Sequence, residues 1–520
     1  MHLRPVIASV GLLAGSLVAL SGNAAQAATT RYEAETSPAV CAGAIESNWA
    51  GYSGSGFCNG DNATGGYAQF TVTASTAGTA TLKVRFANGT TSARAANIVV
   101  NGSTATTASF EGTGAWNTWA TKTLTVPLRS GSNTIRLAPT TSAGLPNIDY
   151  TDVETSGGDP QPTGPVLYVS PSGTDGAAGT ESNPTTLTSA ISRISSGGTI
   201  YLRGGTYRYS QTVTIPAGRN GTSGDRTELF AYPGETPVLN FSAQSEDPAG
   251  RGLAVNASYW HVKGIVVERA GDNGIFLSGS NNVIERTVTR FNRDSGLQLS
   301  RALSSTPKDQ WPSNNLILSA ESHDNVDSDG EDADGFAPKL TVGPGNVFRY
   351  TVSHNNIDDG YDLYTKTDTG PIGAVTIEDS LAYDNGTLSD GSQAGNGDRN
   401  GYKLGGDDIG VNHVVRRSIA YQNGKHGFTY NSNTGAMQIS DNVSIGNEQR
   451  NFNFDSGSTS VFRNNTSCDS GSNDRIIGNS DSSNQFWSGS NGSRCSSYAG
   501  ALHWSFGSDG RLVVTFGGGQ

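Results

Sequence analysis

Three patterns of apolar and polar residues follow one another along the chain. From about Thr29 to Glu154, short runs alternate strictly, as in "YAQFTVTA", "TLKVRFA" and "NTIRLAP", with turn pairs such as Asn101-Gly102 between them. A period of two marks strands with one buried face, so residues 29–154 are expected to form a β-sandwich. A Gly/Pro-rich linker, "TSGGDPQPTGP", occupies 155–165. Beyond it, Leu187, Ala190, Ile191 and Ile194 keep the spacing of one short amphipathic helix. Short strands come next, with no other helical pattern.

Those later strands repeat. The segments "NGIFL", "SGLQL", "DGFAPKL", "DGYDLY", "NGYKLG" and "HGFTYN" set Gly274, Gly296, Gly335, Gly360, Gly401 and Gly427 at one point of the repeat. A degenerate copy, "RNFNF", has Asn451 in the glycine place. Where no loop intervenes the period is roughly 22 to 26 residues. A second track ends in asparagine: Asn292, Asn325, Asn356, Asn385, Asn423 and Asn447. One amide per repeat predicts a ladder of stacked side chains inside a solenoid. The expected fold is therefore all-β, with a right-handed parallel β-helix over 166–520 and the Leu187–Ile194 helix shielding its first coil.

Register then orders the chemistry. The residue after each glycine is apolar and expected to face inward: Ile275, Leu297, Phe336, Tyr361, Tyr402, Phe428. The next one faces outward, so Asp362 and Lys403 share a column on consecutive coils roughly 4.8 Å apart. Asp334 and Asp359 share the column before the glycine, with Asp358 beside them. Four carboxylates on one patch repel each other unless a hard cation joins them, and calcium accepts such irregular oxygen cages. The nearby "DSDGEDADG" misses the spacing of an EF-hand loop and is given no site of its own. Lys403, next to the cluster, is a candidate base. Calcium on a uronic-acid carboxylate would acidify the C5 proton. A lysine could take that proton while the 4-linked oxygen leaves by β-elimination, without water.

Composition narrows the setting. The 520 residues carry 34 Lys+Arg against 46 Asp+Glu, a formal net charge of -12, which argues against a general nucleic-acid binder. Many glycines (68) and few hydrophobics (34%) suit a turn-rich extracellular protein. Residues 1–28 combine Arg4, an apolar run and Ala-Gln-Ala, the pattern of a secretory leader. No later stretch could span a bilayer, so a secreted, monomeric protein without a membrane partner is expected. Four cysteines allow three pairings, of which Cys41–Cys58 and Cys468–Cys495 keep each bridge within one region.

Two resemblances follow from these residues. The N-terminal region, through "YEAE", "GGYAQF", "WNTW" and "PNIDYTDVE", resembles carbohydrate-binding modules of the family 6 and 35 group. That resemblance implies a structural calcium held by Glu33, Glu35 and Asp149, and sugar contacts from Trp116, Trp119 and Asn147. The second region, through Asp334, Asp358-Asp359, Asp362 and "GYKLGG", resembles polysaccharide lyase family 9, the calcium-dependent pectate lyases. It implies that the four aspartates bind the catalytic calcium, that Lys403 is the base, and that the substrate is polygalacturonate (pectin) of plant cell walls. Lys339 and Arg399, each close to a column member, are the better candidates among nearby cations for holding further uronate carboxylates. Two neighbouring readings stay open: a lyase on another uronic-acid polymer, and a polygalacturonase, in which paired acids would activate water and Lys403 would have no task.

Overall fold

The computed structural model describes residues 29–74, 78–129, 131–155, 164–507 and 509–517. The expected leader lies outside them, as does most of the linker. Two compact units stand on either side of that linker.

The first unit is a sandwich of two antiparallel sheets, of six and five strands among the described residues. Alternation decides which faces meet. Along Ala68–Ala74, buried positions alternate with more exposed ones, and Phe70 and Val72 enter a core with Leu82, Val84, Ile98, Ile135 and Leu137. Cys41 and Cys58 are joined, as are Cys468 and Cys495 in the second unit.

The second unit is a parallel β-helix of three sheets with twelve, ten and ten strands. The helix Leu187–Arg193 buries Leu187, Ala190 and Ile191. It packs against the strands Val166–Val169, Thr199–Leu202 and Val213–Ile215 of the first coil, and Thr186 caps it by accepting the N–H of Ser189 at 3.2 Å. The third sheet carries the glycine repeat. Its inward column pairs Leu297 with Phe336, Phe336 with Tyr361, Tyr361 with Tyr402, and Tyr402 with Phe428. The rings from Tyr361 to Phe428 stack at centroid distances of 4.6 Å.

The amide ladder sits one column away. Asn292 Nδ2 donates to Asn325 Oδ1 at 2.9 Å, and the chain of donations continues through Asn356, Asn385, Asn423 and Asn447. Glycine recurs because the ladder leaves it no room: a Cβ on Gly360 would stand 2.7 Å from Asn385 Nδ2 and 2.6 Å from Gly401 O. The degenerate copy then explains itself. Asn451 stands in the glycine column and turns its own amide into the ladder, accepting from Asn447 Nδ2 at 2.7 Å as the final rung.

Two features go beyond the sequence reading. Shorter ladders, Asn282–Asn315–Asn346 and Asn442–Asn465–Asn484, serve another corner. The antiparallel hairpin Leu502–Phe506 and Leu512–Phe516 then folds back onto the second sheet, where Trp504 Nε1 donates to the Tyr383 hydroxyl at 3.0 Å.

Candidate active site

Short strands and tight turns bring the acidic residues together. Tyr361–Asp362 and Tyr402–Lys403 pair in parallel, with Asp362 opposite Lys403. Asp334 and Asp359 occupy the position before Gly335 and Gly360 on adjacent coils, and the Asp359 N–H donates to Asp334 Oδ1 at 3.3 Å. Asp334, Asp358 and Asp359 each offer an oxygen within 4.8 Å of the others. All three are buried, and so is Asp362, although its column was expected to face outward.

Each carboxylate is oriented by its neighbours. Asp358 Oδ1 accepts the backbone N–H groups of Asp398 and Arg399, the latter at 3.1 Å. Asp359 Oδ1 accepts from Asn400 N at 2.6 Å and from Asn400 Nδ2 at 2.9 Å. Ser295 Oγ donates to Asp334 Oδ2 at 3.1 Å. Two ammonium groups enter the cluster. Lys339 Nζ lies 2.7 Å from Asp334 Oδ2 and 3.3 Å from Asp362 Oδ2. Lys403 Nζ lies 3.2 Å from Asp359 Oδ2, 3.8 Å from Asp362 Oδ2 and 3.1 Å from Asp398 Oδ2.

Charge is out of balance here. Against four carboxylates stand two lysines, since Asp398 is also engaged by Lys425 at 2.6 Å. Burial pushes Asp334 and Asp358 well above the usual carboxylate range, and Asp359 up to about 6. Burial alone would lower Lys403, but the carboxylates of Asp362, Asp359, Asp358 and Asp334 outweigh it and hold the ammonium protonated well above its ordinary value. With all four carboxylates ionised, the excess of two negative charges is what one divalent cation would neutralise. Asp362 Oδ1 is buried with no hydrogen-bond partner. An all-oxygen donor set with an orphaned carboxylate oxygen fits a hard cation such as calcium.

Asp358, Asp362, Lys339 and Lys403 of the cluster line a cavity of about 510 Å³, together with Tyr364, Lys366, Asn396 and Asn431. The other expected contact, Arg399, is not among the lining residues. Its backbone N–H serves Asp358, while its guanidinium lies 3.7 Å from Glu448 Oε2. Asp398 was not anticipated. It lies in a loop without period, so no register could place it between Lys403 and Lys425.

A family model described as the Pel9A-like right-handed β-helix region matches residues 167–467, more than half of the chain. The chain belongs to the Pel9A-like family of β-helix pectate lyases. As a Pel9A-like protein it is a polysaccharide lyase. Pectate lyase L of Paenibacillus polymyxa (strain SC2) is 53% identical over 323 residues, covering 62% of this chain and 72% of the relative. The crystal structure of pectate lyase Pel9A overlays with a TM-score of 0.57 at 31% identity, covering 66% of this chain and 84% of that one. The N-terminal unit matches the model of carbohydrate-binding module family 6 over 34–155.

In that module the predicted carboxylates converge on one loop. Glu33 Oε1 accepts from Ser53 Oγ at 2.7 Å, Glu35 Oε1 from Ser55 N at 2.9 Å, and Asp149 from Ser53 N at 3.0 Å. Glu33 Oε2 and Glu35 Oε2 are buried without a partner. Asp149 also pairs with Arg85 at 2.6 Å. Trp119 donates to Ala50 O at 3.1 Å and meets Phe57 edge-on, Trp116 lies against Gly89, and Asn147 is buried.

Proposed function

We propose that this protein is a secreted, calcium-dependent pectate lyase that cleaves 4-linked galacturonan by β-elimination, with Lys403 as the base. The observation that carries the reading is the Lys403 amine, set among Asp359, Asp362 and Asp398 in a cavity that also presents Lys339 and Lys366. Asp334, Asp358, Asp359 and Asp362 would hold the cation. When bound, calcium would neutralise the uronate carboxylate and acidify its C5 proton. With a divalent cation on these aspartates offsetting the charge that keeps Lys403 protonated, its neutral amine takes the C5 proton. The electron pair forms the C4–C5 double bond, and the C4–O4 bond breaks with O4 leaving and taking a proton from water. Asp398 and Asp359 orient the amine from two sides. Lys339 and Lys366 supply positive charge for uronate carboxylates in the groove.

Export is supported by the two disulfides, which suit an oxidising compartment, and by the leader-like pattern at 1–28. The N-terminal module would hold cell-wall polysaccharide near the groove, with Glu33, Glu35 and Asp149 around a structural calcium and Trp116, Trp119 and Asn147 at the sugar. Digestion of polygalacturonate with and without EDTA tests the reading. Unsaturated uronide should form only without chelator. Saturated galacturonides would instead indicate a hydrolase.

A further inference from the structure

One corner of the β-helix carries a second cavity. The turns that join the second sheet to the third build the catalytic site, through Asp334 after Glu321–His323 and through Asp358 and Asp359 after Val352–His354. Earlier coils of the same corner enclose a cavity of about 530 Å³, lined by Glu246, Arg269, Phe291, Arg293 and Asp327. One loop borders both: Asp327 and Ser328 line the earlier cavity, Glu331 and Asp332 the catalytic one.

Arg269 is the uncommitted cation of this second cavity. Arg293 is held by Glu246 at 3.4 Å, and Glu246 also accepts the Ser328 N–H at 3.0 Å. Among the described residues Arg269 has no carboxylate partner. Its guanidinium instead lies 5.0 Å from the centroid of Phe291. Both residues occupy the left-handed position of their turns, with φ of 60° and 57°. In the next three coils that position holds Asp324, Asn355 and Asp384, types that tolerate the conformation far better than arginine or phenylalanine. The coil after those holds Gln422 at the same position, and of this column Arg269 and Phe291 are the residues that line the cavity.

We propose that this cavity is a distal subsite for an acidic sugar of the same polymer, with Arg269 receiving a uronate carboxylate and Phe291 positioning the guanidinium. The proposal rests on the reading of the protein as a lyase of acidic polysaccharide. Three coil steps separate Val266–Glu268 from Val352–His354. At roughly 4.8 Å each, the subsite stands about 14 Å along the axis from Asp358 and Asp359, so only a chain of several residues reaches both. An arginine fork suits a planar carboxylate better than a lysine does.

The test compares kcat/KM on polygalacturonate and on trigalacturonate, which is too short to reach both sites, for the wild type, Arg269→Gln, Arg269→Lys and Phe291→Leu. The polymer-to-trimer ratio should fall about tenfold in Arg269→Gln, mostly through KM, and by less in Phe291→Leu, with Arg269→Lys recovering part of the loss. Affinity electrophoresis of Arg269→Gln in a Lys403→Ala background should show the same loss for the polymer without turnover. A ratio and an affinity unchanged within about twofold would overturn the subsite and leave the lyase reading standing. A wild type that yields no unsaturated product from either substrate would overturn the lyase reading, and the subsite with it.

Discussion

Asp362 and Lys403 stand opposite each other on adjacent strands of the third sheet, although a long loop separates them in sequence. Their side chains leave the same face, and Lys403 Nζ comes within 3.8 Å of Asp362 Oδ2. The carboxylates hold that amine protonated, so a cation bound to them would weaken their hold on the proton and couple the proposed cation site to the proposed base.

Calcium binding should depend on the cluster as a unit. Asp359→Ala removes a carboxylate held by Asn400 and facing Lys403. Calorimetry should show calcium binding lost and turnover at modest calcium abolished, with the circular dichroism spectrum intact. Asp362→Ala should behave likewise. Full activity of either variant in EDTA would end the calcium reading.

The glycine column should be intolerant of even one methyl group. Gly360→Ala places a Cβ against Gly401 O and Asn385 Nδ2, both closer than 3.0 Å. The rung must shift and its buried amides lose geometry, at a cost of about 2 kcal/mol or more. Chemical denaturation of the fragment from Val166 measures this, and a variant as stable as its parent would contradict the ladder account.

Acid stability should carry the mark of one histidine. His413 is fully buried and accepts the N–H of Val375 at 3.1 Å, the task Asn346 performs for Asn315 two coils earlier. Burial pushes its pKa down to about 3. Between an unfolded value of about 6.5 and that point, the unfolded chain binds a proton that the folded one refuses. Stability from this group is therefore complete above about 6.5 and falls by about 1.4 kcal/mol per pH unit below it, levelling off near 3. His413→Asn keeps an acceptor that does not titrate, so its melting temperature should fall less between pH 7 and pH 4.5. Equal falls in both proteins would refute the assignment.

Much of this architecture was legible because a β-helix writes its register into the chain. Glycine and asparagine columns recur at intervals set by the coil, so Asp334, Asp358, Asp359, Asp362 and Lys403 could be placed relative to one another before any coordinates. Asp398 could not, because the loop before Asn400 has no period. Arg399 lies close in sequence, but it sits at φ 57° with its stem against Gly386 and Gly424, and its charge turns to Glu448. The C-terminal hairpin was also missed, since its inner face is specified by the outer surface of the second sheet and follows no repeat.

Modularity offers an independent check. A fragment beginning at Val166 should fold, keep its rate on soluble polygalacturonate, and bind insoluble cell-wall material less well than the full chain. Failure of the fragment to fold would place the domain boundary elsewhere.

The most direct measurement concerns Lys403→Arg. Guanidinium keeps the positive charge but stays protonated at any workable pH, so it cannot accept the C5 proton. Release of unsaturated uronide from polygalacturonate at saturating calcium should rise with pH into the alkaline range for the wild type, following loss of one proton from an amine whose free value is about 10.4. Lys403→Arg and Lys403→Ala should both lose roughly three or more orders of magnitude in kcat, while still binding calcium and substrate. A Lys403→Arg enzyme with near-normal kcat would show that the residue supplies only charge, and the base would lie elsewhere in the groove.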